Sequence, residues 1–123
     1  MAVGMLRTIV VDCVDPAPLA AFWSALLGIE VHHEHEGWIS LRPLGPGQPR
    51  IAFQRVPEAK ITKNRLHLDV WVADIPTATT AAIALGATAV GPLVEDDHEP
   101  FQVMADPAGN EFCLVHAPGS EGP

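Results

Sequence analysis

One pattern occurs twice in this sequence, and that repetition restricts the folds open to it. Thr8 to Asp15 (TIVVDCVD) lies over His67 to Asp74 (HLDVWVAD) without a gap. Each copy is a short segment of alternating, largely β-branched residues, as a half-buried strand requires. Each ends on an Asp able to cap a helix N-terminus, and a glycine (Gly28 or Gly86) then closes the helix at nearly the same offset. A duplicated strand–helix unit predicts two like halves, each burying its helix against its own strands.

The segments between the copies complete the plan. Leu6 to Val14 reads as the first strand, and Asp15-Pro16 as a helix start with proline in the first helical position. Leu19, Phe22, Trp23, Leu26 and Leu27 form one apolar stripe. Ile29 to Glu34, Trp38 to Pro43 and Arg50 to Val56 follow as strands of an antiparallel meander, with turn chemistry at Glu36-Gly37 and Gly45 to Pro49. Ile39, Leu41, Ile51 and Phe53 share the helix-side parity, and Trp38, Ser40, Arg42, Ala52 and Gln54 the opposite one. After a polar connector from Pro57 to Asn64, Arg65 to Val72 is a strand. Asp74 then caps a helix with Ile75, Ala78, Ala82 and Leu85 on one face. Ala87 to Val90, Phe101 to Ala105 and Glu111 to His116 are the remaining strands. The expected fold is α+β: two βαβββ repeats, about residues 6–56 and 65–116, whose curved mixed sheets turn their helix-free faces to a cup. All 123 residues then form a single domain with a flexible tail at 117–123.

Charge and composition narrow the partners. A 48% hydrophobic content supports one core at this length. The formal net charge is -8, with 7 Lys+Arg against 15 Asp+Glu, and such a surface repels phosphate backbones and anionic lipid headgroups. Neither nucleic acid nor a membrane is expected as a partner. No apolar run is long enough to span a bilayer and no signal-like segment is evident, so a cytoplasmic location is the expectation. Cys13 and Cys113 fall in strand-like segments without metal-type spacing, which predicts reduced thiols in the core or lining a pocket.

The duplicated strand–Asp–helix unit, the run Arg65-Leu66-His67-Leu68-Asp69-Val70 and the turn Asp106-Pro107-Ala108-Gly109-Asn110-Glu111-Phe112 before the last strand resemble the vicinal oxygen chelate superfamily, in its glyoxalase-like, bleomycin-resistance-like branch. The resemblance spans Leu6 to His116. It implies a cup-shaped site for a small molecule, a homodimer, and in active members a divalent metal held by side chains from both halves. Position by position, His67 falls on a family metal-ligand position. Its first-half equivalent is Thr8, the last-strand carboxylate position is Cys113, and the remaining position is about Gln54. Thr and neutral Gln are poor ligands for a dication, so no cofactor is expected. The expected function is binding of a small organic metabolite or drug, with its transformation left open. The alternative is a metal-dependent lyase, isomerase or dioxygenase with His67 and Gln54 as ligands.

Alternation supplies the other candidates. Asp69 and Trp71 share the parity of His67, so His67 and Asp69 suit general acid–base work unless Asp69 merely pairs with Arg42, Arg55 or Arg65. Thr8, Asp12, Trp38, Gln54, Trp71, Glu111 and Cys113 are the expected ligand-binding groups, Trp38 by stacking. Cys113 is a nucleophile only if a cation lowers its pKa. His33 and His35 project from one strand face, as a zinc pair or as a solvated edge. The acidic run Glu95 to Glu99 is an exposed loop or a lid.

Overall fold

A computed structural model describes residues 2, 3, 5–95 and 100–117. These gather into two compact units, 1–59 and 60–123. The first contains β1 (Thr8–Cys13), α1 (Pro16–Leu27), β2 (Val31–His35), β3 (Trp38–Leu41) and β4 (Arg50–Arg55). The second repeats the series with β5 (Leu68–Val72), α2 (Ile75–Leu85), β6 (Thr88–Ala89), β7 (Phe101–Ala105) and β8 (Glu111–His116). The sheets are ordered β1-β4-β3-β2 and β5-β8-β7-β6. In each, the strand before the helix pairs in parallel with the last strand of the unit, and the other pairings are antiparallel. The α+β class and the two βαβββ halves are thus as expected, and both sheets are open.

Each helix buries one side against its own sheet. Leu19, Ala20, Phe22 and Trp23 of α1 are at most 3% exposed, over a sheet face that includes Leu41, Ile51 and Phe53. Withdrawing one such large side chain from water contributes about 1.5–3 kcal/mol. In the second unit Met104, Phe112 and Leu114 are fully buried beneath α2, together with Ile75 and Ala82. Leu85 departs from the expected stripe, being 42% exposed at the last turn of α2.

The helix starts differ from expectation in one copy. Asp74 accepts a hydrogen bond from the Thr77 N–H at 3.0 Å, as an N-cap should. Asp15 has the extended N-cap backbone but makes no side-chain cap bond. The residue three beyond it is Pro18, which has no N–H to offer. Both C-caps follow the prediction: Gly28 is left-handed (φ 68°), and Gly86, also at positive φ, donates back to Ala82 and Ile83.

In the turn ahead of β8, Asp106 is 4% exposed and its Oδ1 accepts from the N–H groups of Ala108 and Asn110 at 3.0 and 2.9 Å. Gly109 takes the left-handed conformation, φ 87°. Ala117, expected in the flexible tail, is buried and donates to Val72 O at 2.9 Å, so it belongs to the fold; 118–123 lie outside the described residues. Among the described residues no helix is long and apolar enough to cross a membrane.

Candidate functional site

Strand alternation in the second unit sorts side chains by face. Phe112 and Leu114 point to the helix side, leaving Glu111, Cys113 and Val115 on the opposite face of β8. The register sets Asp69 opposite Cys113 and Cys113 opposite Val103, so three adjacent strands present these groups side by side. His67 precedes β5 by one residue instead of lying within it, but keeps the parity of Asp69. These side chains border a cavity of about 300 Å³. Its apolar wall is Phe101, Val103 and Val115, and its polar rim is Lys63, His67, Asp69, Glu111 and Cys113.

At the rim, Nε2 of His67 lies 3.5 Å from Oδ1 of Asp69, both side chains being about half exposed. His67 is therefore the partner of Asp69, in place of the arginines that parity left open. Arg42 instead meets Glu30 at 3.5 Å.

A glyoxalase-like domain model matches residues 8–115. The chain belongs to that family. No curated protein sequence matches this glyoxalase-like chain. Among similar solved structures, a glyoxalase/bleomycin resistance protein/dioxygenase family enzyme from Burkholderia phytofirmans PsJN has a TM-score of 0.75 at 21% identity, covering 92% of this chain and 98% of that one. A glyoxalase-related enzyme from Fulvimarina pelagi has a TM-score of 0.74 at 16% identity, covering 97% and 95%. A glyoxalase/bleomycin resistance protein/dioxygenase from Nocardioides has 0.75 at 14%, covering 100% and 89%. At these identities the likeness shows a common fold.

In this glyoxalase-like chain the expected site residues divide between the units. His67, Asp69, Glu111 and Cys113 come together around the second-unit cavity. Trp71 shares their face and is 52% exposed, but is not part of that wall. Thr8, Asp12, Trp38 and Gln54 belong to the helix-free face of the first sheet, where Gln54 stands opposite both Asp12 and Trp38. His33 and His35 lie on the edge strand β2, and the ring of His35 stacks on Trp38. Of the acidic run, 96–99 lie outside the described residues.

Two groups have a different standing from the one sequence suggests. Glu111 is engaged: Oε1 accepts from Asn64 N–H at 2.8 Å and Oε2 meets Lys60 Nζ at 2.8 Å. The bond from Asn64, then Lys60, holds its carboxyl below the ordinary glutamate range. Glu111 ties the connector to β8 and is not a spare ligand. Cys113 is no activated nucleophile. Burial first and the Asp69 charge second push its thiol pKa up, against a smaller opposing pull from Lys63.

The donor atoms of His67, Asp69 and Cys113 lie within 4.8 Å of one another. Tetrahedral zinc, with Zn–N and Zn–S lengths of about 2.0 and 2.3 Å, holds such ligand atoms roughly 3.5 Å apart. The set is thus wider than a bound ion would leave it, and the exposed His67 and Asp69 side chains have the freedom to close it. An imidazole, a carboxylate and a thiol suit a borderline-soft dication better than magnesium or calcium. Sequence position alone puts Cys113 at a ligand position but offers Gln54, not Asp69, beside His67. The cross-strand register is the signal that joins them. Lys63, Phe101, Val103 and Val115 were also missed; the Phe101-Gln102-Val103 alternation marks two of them.

Proposed function

We propose that this protein binds a small organic molecule in the cavity on the helix-free face of its second sheet. A single observation carries the reading: the His67–Asp69 pair stands at the rim of a concavity whose other wall is Phe101, Val103 and Val115. An apolar wall supplies affinity, and a few convergent polar groups supply orientation. The volume suits a metabolite-sized ligand. His67 is the group that gives or takes a proton from such a ligand, and Asp69 steadies its ring. Thermal-shift and calorimetric screening of small metabolites, with and without EDTA, tests this. Expected are ligands that raise the Tm of the wild type but not of His67→Ala, with EDTA making no difference. Tm gains that His67→Ala retains in full would sink it.

A second reading is favoured by the convergence of His67, Asp69 and Cys113: a metal-dependent lyase, isomerase or dioxygenase. A dication there would supply Lewis-acid polarisation of a substrate oxygen. His67, Asp69 and Cys113 would hold it, in place of the His67 and Gln54 pair. Metal analysis of protein purified without a His tag separates the two readings. Stoichiometric metal, together with protection of Cys113 from alkylation by zinc, supports the second; protein free of metal and unaffected by zinc supports the first.

A second copy of the chain is the proposed partner, because Trp71 stands half exposed on an open sheet. Sedimentation showing only monomer at micromolar concentration would count against it.

A further inference from the structure

The helix-free face of the first sheet has a cleft of its own, about 430 Å³, lined by Arg7, Thr8, His32, His33, Trp38, Ser40 and Arg50. Its composition runs against that of the chain. The protein has only 7 Lys+Arg at a net charge of -8, yet two arginines and two histidines line this cleft, and among the described residues no Asp or Glu does. Among the described residues neither Arg7 nor Arg50 pairs with an acidic side chain.

The fold builds this arrangement. Thr8 and Arg50 are opposite each other across the parallel β1–β4 ladder, and the Arg50 N–H donates to Arg7 O at 3.0 Å, so the two backbones are adjacent where both arginines line the cleft. The register of β2 shifts between Val31 and His33. Such an irregularity breaks strict alternation, and consecutive residues His32 and His33 both reach the cleft. Ser40, 4% exposed and on the same sheet face as Trp38, also lines the cleft. Trp38 adds a flat apolar wall, with the His35 ring stacked on it at an interplanar angle of 8°.

We infer that this cleft is a binding site for a small organic anion, a carboxylate or phosphate monoester carrying a flat ring. Arg7 and Arg50 take the anionic oxygens, Ser40 donates to one of them, and the ring lies against Trp38. The two guanidinium groups lie on neighbouring chain segments, so they can grip one anion from two sides.

Isothermal titration at low ionic strength tests this with four probes: phenyl phosphate, benzoate, the neutral benzamide, and inorganic phosphate. One or both aromatic anions are expected to bind, with benzamide and inorganic phosphate at least about tenfold weaker. Binding of phenyl phosphate alone or benzoate alone supports the proposal and identifies the anionic group. Arg7→Gln and Arg50→Gln should each weaken the binding by about tenfold or more, Ser40→Ala by a few-fold, and added salt should weaken it further. Should Arg50→Gln fail to fold by circular dichroism, Arg50→Lys and the exposed Arg7→Gln carry the test. The proposal is overturned if neither aromatic anion binds, if benzamide or inorganic phosphate matches the aromatic anions, or if the folded arginine variants bind as the wild type does.

Discussion

The two units follow the same course of strands and helix, yet their helix-free faces carry opposite chemistry. The first presents Arg7, Arg50, His32 and His33 around Ser40 and Trp38; the second presents Asp69, Glu111 and Cys113 around His67 and Lys63. Their helix-side faces are alike, with Leu41, Ile51 and Phe53 in one and Met104, Phe112 and Leu114 in the other. The contrast teaches where duplication constrains a sequence. A buried face must fill its volume and exclude water, which admits few residue types, whereas an open face bordering a cleft is free to diverge.

The comparison can be broken at its buried side first. Phe53→Ala and Phe112→Ala should each cost about 3–5 kcal/mol in urea denaturation, because both empty a fully packed site. A loss below about 1 kcal/mol for either would show that the two cores are not equivalent.

Next in size is Glu111, whose counterpart in the first unit, Arg50, makes no ion pair among the described residues. Glu111→Gln should cost about 1–2 kcal/mol at pH 7 by weakening the ties to Asn64 and Lys60. Its folded pKa lies below the ordinary value, so this stabilisation is complete above the unfolded carboxylate pKa of about 4.3 and disappears as pH falls through the lower folded value. The difference between wild type and variant should therefore shrink in strong acid, as denaturation at pH 7 and pH 3 would reveal.

A smaller effect sharpens the contrast between the helix starts. Asp74→Ala should lower Tm, since the Thr77 N–H and hydroxyl both depend on that carboxylate, while Asp15→Ala should leave Tm unchanged. Replacing Pro18 by Ala restores an N–H at the third helical position, and in that background Asp15→Ala should begin to cost stability. The smallest effect concerns reactivity: Asp69→Asn should speed alkylation of Cys113 at pH 8 by about two- to fivefold by removing the charge that opposes thiolate formation. An unchanged rate, measured by mass spectrometry, would show that Asp69 does not act on the thiol.

Much of the fold was legible because its signals are local. Alternation in Thr8–Cys13 and Glu111–His116, the α1 stripe and the glycine stops all act within one element or its ends. The site was legible in part. Parity alone grouped His67, Asp69, Glu111 and Cys113, because successive residues of a strand face opposite ways whatever the neighbours are. Parity is silent about engagement: Lys60 and Asn64, which occupy Glu111, are distant from it in sequence. It also missed Arg7 and Arg50 as lining residues of one cleft, since their segments are brought together only by the parallel pairing of β1 with β4.

The sequence by itself determined the repeat, the element types and which side chains share a face, because backbone periodicity and capping chemistry depend on residues a few positions apart. Tertiary structure alone decided which carboxylate was engaged, which arginines share a cleft and which thiol lay beside an acidic group, because charges interact through space over a few ångströms and the register of distant strands sets those distances.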